Sequence, residues 1–101
     1  MSTPFATLVH IPAFAAVMTE GSLSGAARQL RQAQPTVRRH IEALEAELGT
    51  ALFTRAANGL TPTEMAHALL PKAQSVLEET AALQRAATAR GAALSGVLRI
   101  T

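Results

Sequence analysis

Residues 22–49 read SLSGAARQLRQAQPTVRRHIEALEAELG, and this stretch decides the fold. Ser22 can cap the start of a short helix in which Leu23, Ala26, Ala27 and Leu30 recur at i, i+3, i+4 and i+7. The small pair Ala26-Ala27 lets another helix approach closely. Arg31-Gln32-Ala33 leaves a three-residue connection before the next periodic run. That run predicts a helix from about Gln34 to Leu48, with Pro35 tolerated in the first turn and Gly49 as the stop. Val37, Ile41, Leu44 and Leu48 share one stripe of it. At about 100° per residue, Pro35, Arg39 and Glu42 point the opposite way, with Thr36 and Arg38 beside them.

Upstream, Leu8, Ile11, Phe14, Val17 and Met18 recur at helical spacing from Thr7 to Glu20, and Gly21 ends the run. Pro12 lacks an amide proton and crowds the carbonyl of Leu8, so this helix is expected to start late or to bend in its first turn. Downstream, Ala51-Leu52-Phe53-Thr54-Arg55 and Leu60-Thr61 flank an Asn58-Gly59 pair, a hairpin signal because both residues accept positive φ. Thr61-Pro62-Thr63-Glu64 reads as a capping box with proline at the first helical position.

The helix that follows is expected to reach about Arg90. In it Leu69, Ala73, Val76, Thr80, Leu83 and Ala87 alternate by four and three, a heptad-like seam that Met65, Leu70 and Leu77 widen. Pro71 should kink it near His67. Packing back on its own domain accounts for Met65 and Leu69 but not for Val76 through Ala87. That seam needs another surface, most simply the same helix of a second chain. Gly91 to Ser95 looks like a hinge, and Gly96 to Thr101 alternates like a strand without a partner, as expected of a piece of a longer protein. The expected organisation is a domain over residues 1–62, a linker helix over 63–90, and a hinge with a first strand over 91–101.

The composition agrees with close-packed helices: 49% of the 101 residues are hydrophobic, 3% are aromatic, and 22 are alanine. With no cysteine, disulfide scaffolds, thiol chemistry and cysteine-ligated zinc are excluded. No apolar run approaches the ~20 residues of a membrane span, and no cleavable signal is evident, so no membrane association and a cytoplasmic location are expected. Net charge is only +2, but its placement is informative. Four arginines (Arg28, Arg31, Arg38, Arg39) and no acid lie between Ser22 and Ile41, and Glu42, Glu45 and Glu47 follow. Such a block suits a local anionic partner; on charge alone a solvated arginine face explains it equally well.

Three short helices, a tight turn between the second and third, and then a hairpin describe a mainly α winged helix-turn-helix followed by a long helix. In that motif the third helix enters the major groove, where every base pair shows its own donor and acceptor pattern. Gln34 can bond adenine in bidentate fashion, and the Thr36 methyl can meet a thymine methyl. Pro35 offers apolar contact only. Arg38 and Arg39 suit guanine or phosphate, with Arg39 favoured for reach into the groove. Ser22 and Ser24 can bond phosphate, Ser22 also serving as cap. Arg55, at the wing base, suits backbone or minor groove as well as it suits plain surface. Arg28 and Arg31 are expected to be solvated or distant phosphate partners, and Asn58 a turn former.

Catalysis is not expected. His40-Ile41-Glu42 matches half of a zinc-deaminase signature whose cysteines are missing. His10, His40 and His67 fall on three different helices without metal-ligand spacing, so they read as scattered surface or boundary residues. No aspartate is present, and no serine sits in a nucleophile elbow or phosphate loop. No cofactor or metal is implied.

In order and spacing, the segments GSLSGAARQL, AQPTVRRHIEALEAELG, ALFTR and GLTPTE resemble the N-terminal region of LysR-type transcriptional regulators. The resemblance runs from about Leu8 to Thr101, where GVLRIT looks like the first strand of the family's C-terminal effector-binding domain. It implies a winged helix-turn-helix, linker helices paired antiparallel between two chains, and tetramers of the full-length protein. It also implies partly palindromic double-stranded DNA sites read through the third helix and the wing, and a small-molecule effector bound only by the further domain. The family's contact positions map onto Gln34, Pro35, Thr36, Arg38, Arg39 and the wing arginine Arg55. This chain departs from the pattern at Leu23 (usually phenylalanine), Ala33 (usually serine), Arg38 (frequently serine) and Pro12. A rival reading is a protein-interaction module whose long helix binds a partner and whose helix-turn-helix is structural.

Overall fold

The computed structural model describes residues 4–57 and 59–95. Its elements are α1 (Pro4–Glu20), α2 (Leu23–Leu30), α3 (Gln34–Leu48), β1 (Phe53–Ala56), β2 (Gly59–Pro62) and α4 (Glu64–Ser95). The helix-turn-helix begins and ends where its caps dictate. The Ser22 hydroxyl accepts a hydrogen bond from the Gly25 amide at 3.0 Å, closing the start of α2. Arg31 takes a left-handed conformation (φ 57°) at its end, and the Gln32 amide reaches the Ala27 carbonyl at 3.0 Å. At the start of α3, Ala33 gives no side-chain cap, whereas Gly49 (φ 72°) ends the helix in left-handed geometry.

The core is formed where the stripes of these helices meet. Phe14 and Val17 of α1, Ala26 and Ala27 of α2, and Val37, Ile41 and Leu44 of α3 are buried together with Leu52, Phe53, Ala66 and Ala73. Phe14 and Phe53 pack edge to face, with ring centroids 6.1 Å apart, so the base of the hairpin is seated on α1. Two stripe residues fall outside this core: Leu48, at the last turn of α3, and Leu8, near the start of α1, are exposed.

Several expectations are corrected. α1 does not start late: helix runs from Pro4 through Pro12, whose ring side is exposed, while Ile11 and Ala13 on either side are buried. The hairpin is antiparallel, pairing Phe53 with Pro62, Thr54 with Thr61, Arg55 with Leu60 and Ala56 with Gly59. Thr61 and Pro62 therefore belong to β2, and the cap of α4 moves to Thr63. Its hydroxyl accepts from the Ala66 amide at 3.2 Å. Asn58 lies outside the described residues.

α4 continues through Pro71, which is exposed, to Ser95, so the backbone expected to form a hinge from Gly91 is helical. The expected strand at residues 96–101 lies outside the described residues. Ala73 is buried in the domain core, with Leu69, Leu70, Val76 and Leu77 packed against it. Met65 is exposed instead, because Ala66 is the residue of that turn facing the core. Thr80, Leu83 and Ala87 remain exposed. The seam thus splits, its first half covering this domain and its second half facing outward.

Candidate nucleic-acid interface

The buried side of α3 fixes what the other side offers. With Val37, Ile41 and Leu44 held in the core, Gln34, Pro35 and Arg39 are exposed, and Thr36 and Arg38 are half-buried beside them. These are the side chains of the first turns, where the helix also carries free amides and partial positive charge. Ser22 is half-buried and spends its hydroxyl on the α2 cap; Ser24 is exposed, its Oγ 3.4 Å from that of Ser22. Arg28 and Arg31 are exposed.

Arg55 projects from β1 and is exposed. It shares with Arg38 a hollow of about 190 Å³ between α3 and the wing, whose floor is Ile41 and Phe53 and whose rim includes Glu42 and Glu45. The fold therefore brings helix and wing arginines to one place. No ion pair engages either guanidinium among the described residues, so both are available to an outside anion.

Glu45 has a separate task. One carboxylate oxygen, Oε2, accepts from the Leu52 amide at 2.8 Å and from the Phe53 amide at 3.1 Å. α3 is thereby tied to the first residues of the wing, a connection that residue patterning does not disclose.

Sequence reasoning also missed a histidine pair. His10 of α1 and His40 of α3 are not scattered; their Nδ1 atoms lie 2.7 Å apart and their ring centroids 4.9 Å apart. One ring donates a single proton to the lone pair of the other. Burial holds the His40 pKa below its ordinary value, and the positive potentials of His10 and Arg39 lower it further. One α3 turn pair away, the Thr7 hydroxyl donates to Glu47 at 2.9 Å, a second polar tie between the same helices. His67 is exposed on α4, apart from this pair. Among the described residues no three histidine or carboxylate side chains gather as metal ligands.

The family profile "Bacterial regulatory helix-turn-helix protein, lysR family" matches residues 8–67, more than half of the chain. The chain belongs to the LysR family. A small neutral protease regulatory protein of Streptomyces coelicolor is 37% identical over 91 residues, which is 90% of this chain and 28% of that protein. The HTH-type transcriptional regulator GalR of Pseudomonas putida is 44% identical over 72 residues, 71% of this chain and 18% of the relative. This LysR-family chain thus spans between 18% and 36% of the length of curated relatives such as these. Among solved structures, a complex of the CbnR DNA-binding domain with DNA superposes with a TM-score of 0.74 at 32% identity, covering 82% of this chain and 95% of that one. A complex of the BenM DNA-binding domain with benA site 1 DNA gives 0.74 at 31% identity, covering 83% and 98%. Membership in the LysR family sets aside the enzyme reading and the reading in which the helix-turn-helix is only structural. No described helix is long and apolar enough to cross a membrane.

Proposed function

We propose that this chain is the DNA-binding and dimerisation part of a cytoplasmic LysR-type regulator, reading partly palindromic double-stranded DNA as a homodimer. The observation that carries the reading is the outward side of α3, which offers Gln34, Pro35, Thr36 and Arg39 and on which Arg38 shares a hollow with the wing arginine Arg55. α3 enters the major groove. Gln34 and Arg39 reach base edges, Thr36 and Pro35 supply apolar contact, and Arg38 and Arg55 hold phosphate from the hollow between helix and wing. Ser24 and the first amides of α2 meet the backbone on the near side, with Ser22 holding that helix start in place.

Dimerisation rests on the outward half of α4, where Val76, Thr80 and Leu83 line an open trough with Ser75, Glu79, Ala82 and Ala86. A second α4 laid antiparallel would fill it, with Ala87 at its end. Leu69 and Ala73 serve this domain's own core and stand at most at the margin of that seam. In the full-length protein two such dimers would join into a tetramer through a second contact, with an effector bound by a further domain.

A salt titration on promoter DNA from the protein's own locus, beside an unrelated duplex of equal length, tests the reading. Site-specific binding gives a clear affinity gap and a steep loss of affinity with salt on both duplexes. Binding to neither duplex at low salt rejects it.

A further inference from the structure

We infer that Glu45 is a positioning residue for DNA recognition, its carboxylate fixing the wing, and so Arg55, at one distance from the outward side of α3. The inference rests on the DNA reading above. Each strand of the wing has only four residues, and a lone two-stranded hairpin has little stability of its own. Its direction must be set at its base. Leu52 and Phe53 anchor that base by burial, but apolar contact is non-directional and leaves tilt free. Hydrogen bonds are directional, and those to a carboxylate are the stronger kind.

The base is held from two sides. On one side, Glu45 Oε2 takes the amides of Leu52 and Phe53, while the Glu45 carbonyl takes the amides of Gly49 at 2.8 Å and Thr50 at 3.2 Å. One residue therefore turns the chain out of α3 and also aims the strand that follows. On the other side, the Thr63 amide donates to the Leu52 carbonyl at 2.9 Å, and its hydroxyl donates to the Ala51 carbonyl at 2.9 Å. The peptide from Ala51 to Phe53 is clamped between recognition helix and linker helix. Arg55 stands two residues further along β1. Glu45 itself offers DNA little, since the oxygen that faces the wing is already shared by two amides.

A double-mutant cycle on operator DNA tests this. In the parent protein, Arg55→Ala is expected to weaken operator binding about fivefold or more. In Glu45→Met, which keeps the side-chain length and removes the acceptor, the same change should cost less than about twofold. Glu45→Gln, whose carbonyl oxygen can take both amides, should restore the full cost. Arg39→Ala is the control: Arg39 is on α3 itself, so its cost should be the same with Glu45 or Met. A merely structural role would erode both arginine contributions alike. Helical circular dichroism confirms folding at the assay temperature. If the Met variant does not fold, Glu45→Asp, a methylene too short to reach the amides, replaces it in the cycle. An Arg55→Ala cost that persists undiminished in the folded variant overturns the inference and leaves the DNA reading standing. An Arg55→Ala change without cost in the parent removes the wing from the DNA reading and the inference with it.

Discussion

The hydrogen bond between His10 and His40 can exist only while the pair shares fewer than two Nδ1 protons. Both rings charged would place two cations 2.7 Å apart with Arg39 alongside. Burial first, then His10 and Arg39, hold the His40 pKa below its ordinary 6.5, so the folded protein binds this proton less readily than the unfolded chain. The site's stability is therefore complete above the unfolded value, declines as pH drops below it, and is lost as pH falls through the lower folded value. Melting temperatures are expected to drop as pH falls below about 6.5, and His40→Gln should flatten that drop. Equal slopes in both proteins would remove the pair as the cause. Gly25 makes a sharper steric claim. A Cβ there would lie 2.9 Å from Glu20 Cβ and 3.1 Å from Ser22 Oγ, the cap oxygen. Alanine gains about 1 kcal/mol of helix propensity, but the clash falls on a Cβ with no freedom to move and on the cap. A net loss of ~1–3 kcal/mol in denaturant unfolding is expected of Gly25→Ala. An unchanged midpoint would mean that the turn between α1 and α2 yields.

At the scale of elements, α3 begins without a side-chain cap. Ala33 has extended backbone (φ −72°, ψ 148°), the geometry a capping serine adopts, and Pro35 has no amide to offer. A serine at this position can accept from the Thr36 amide, so Ala33→Ser should add ~1 kcal/mol, read as a rise of several degrees in melting temperature. No rise would show that the Thr36 amide, 3.0 Å from the Ala33 carbonyl, is already adequately bonded. Arg39→Ala should cost ~1–3 kcal/mol on operator DNA and much less on random DNA if the guanidinium reads a base. Equal costs make it a phosphate anchor. The bounds of α2 and α3 were legible because local chemistry sets them: Ser22 caps one helix and Gly49 stops the other. Helical period also picked out the buried stripe of α3, and with it the outward residues. It failed at Leu8 and Leu48 because period gives the face of a helix, not how far the neighbouring elements extend to cover it. The start of α4 was misplaced because two threonines compete, and strand pairing takes Thr61. The histidine pair and the Glu45 clamp were invisible because each joins positions that only the docking of elements brings together.

At the scale of the whole molecule, α4 is what one domain cannot accommodate. Its 32 residues span ~48 Å, and the body beneath covers it only as far as Val76 and Leu77. Beyond them Leu83 is 69% exposed, a large apolar side chain in a trough that none of the described residues of its own domain fills. Two such helices laid antiparallel would bury both troughs and place the two copies of α3 at opposite ends of one rigid spacer. The spacing of half-sites on DNA would then follow from helix length, in steps of a turn of ~34 Å. Breaking the seam should separate two effects. Leu83→Glu, on a residue that the domain core does not use, should yield a folded monomer by sedimentation with its melting behaviour largely kept. Val76→Glu would confuse the outcome, since Val76 also packs on the core. The monomer should bind a single half-site nearly as before, while a full operator loses the bivalent gain of ~10²-fold or more. A Leu83→Glu protein that sediments as a dimer would place the contact between chains on another surface.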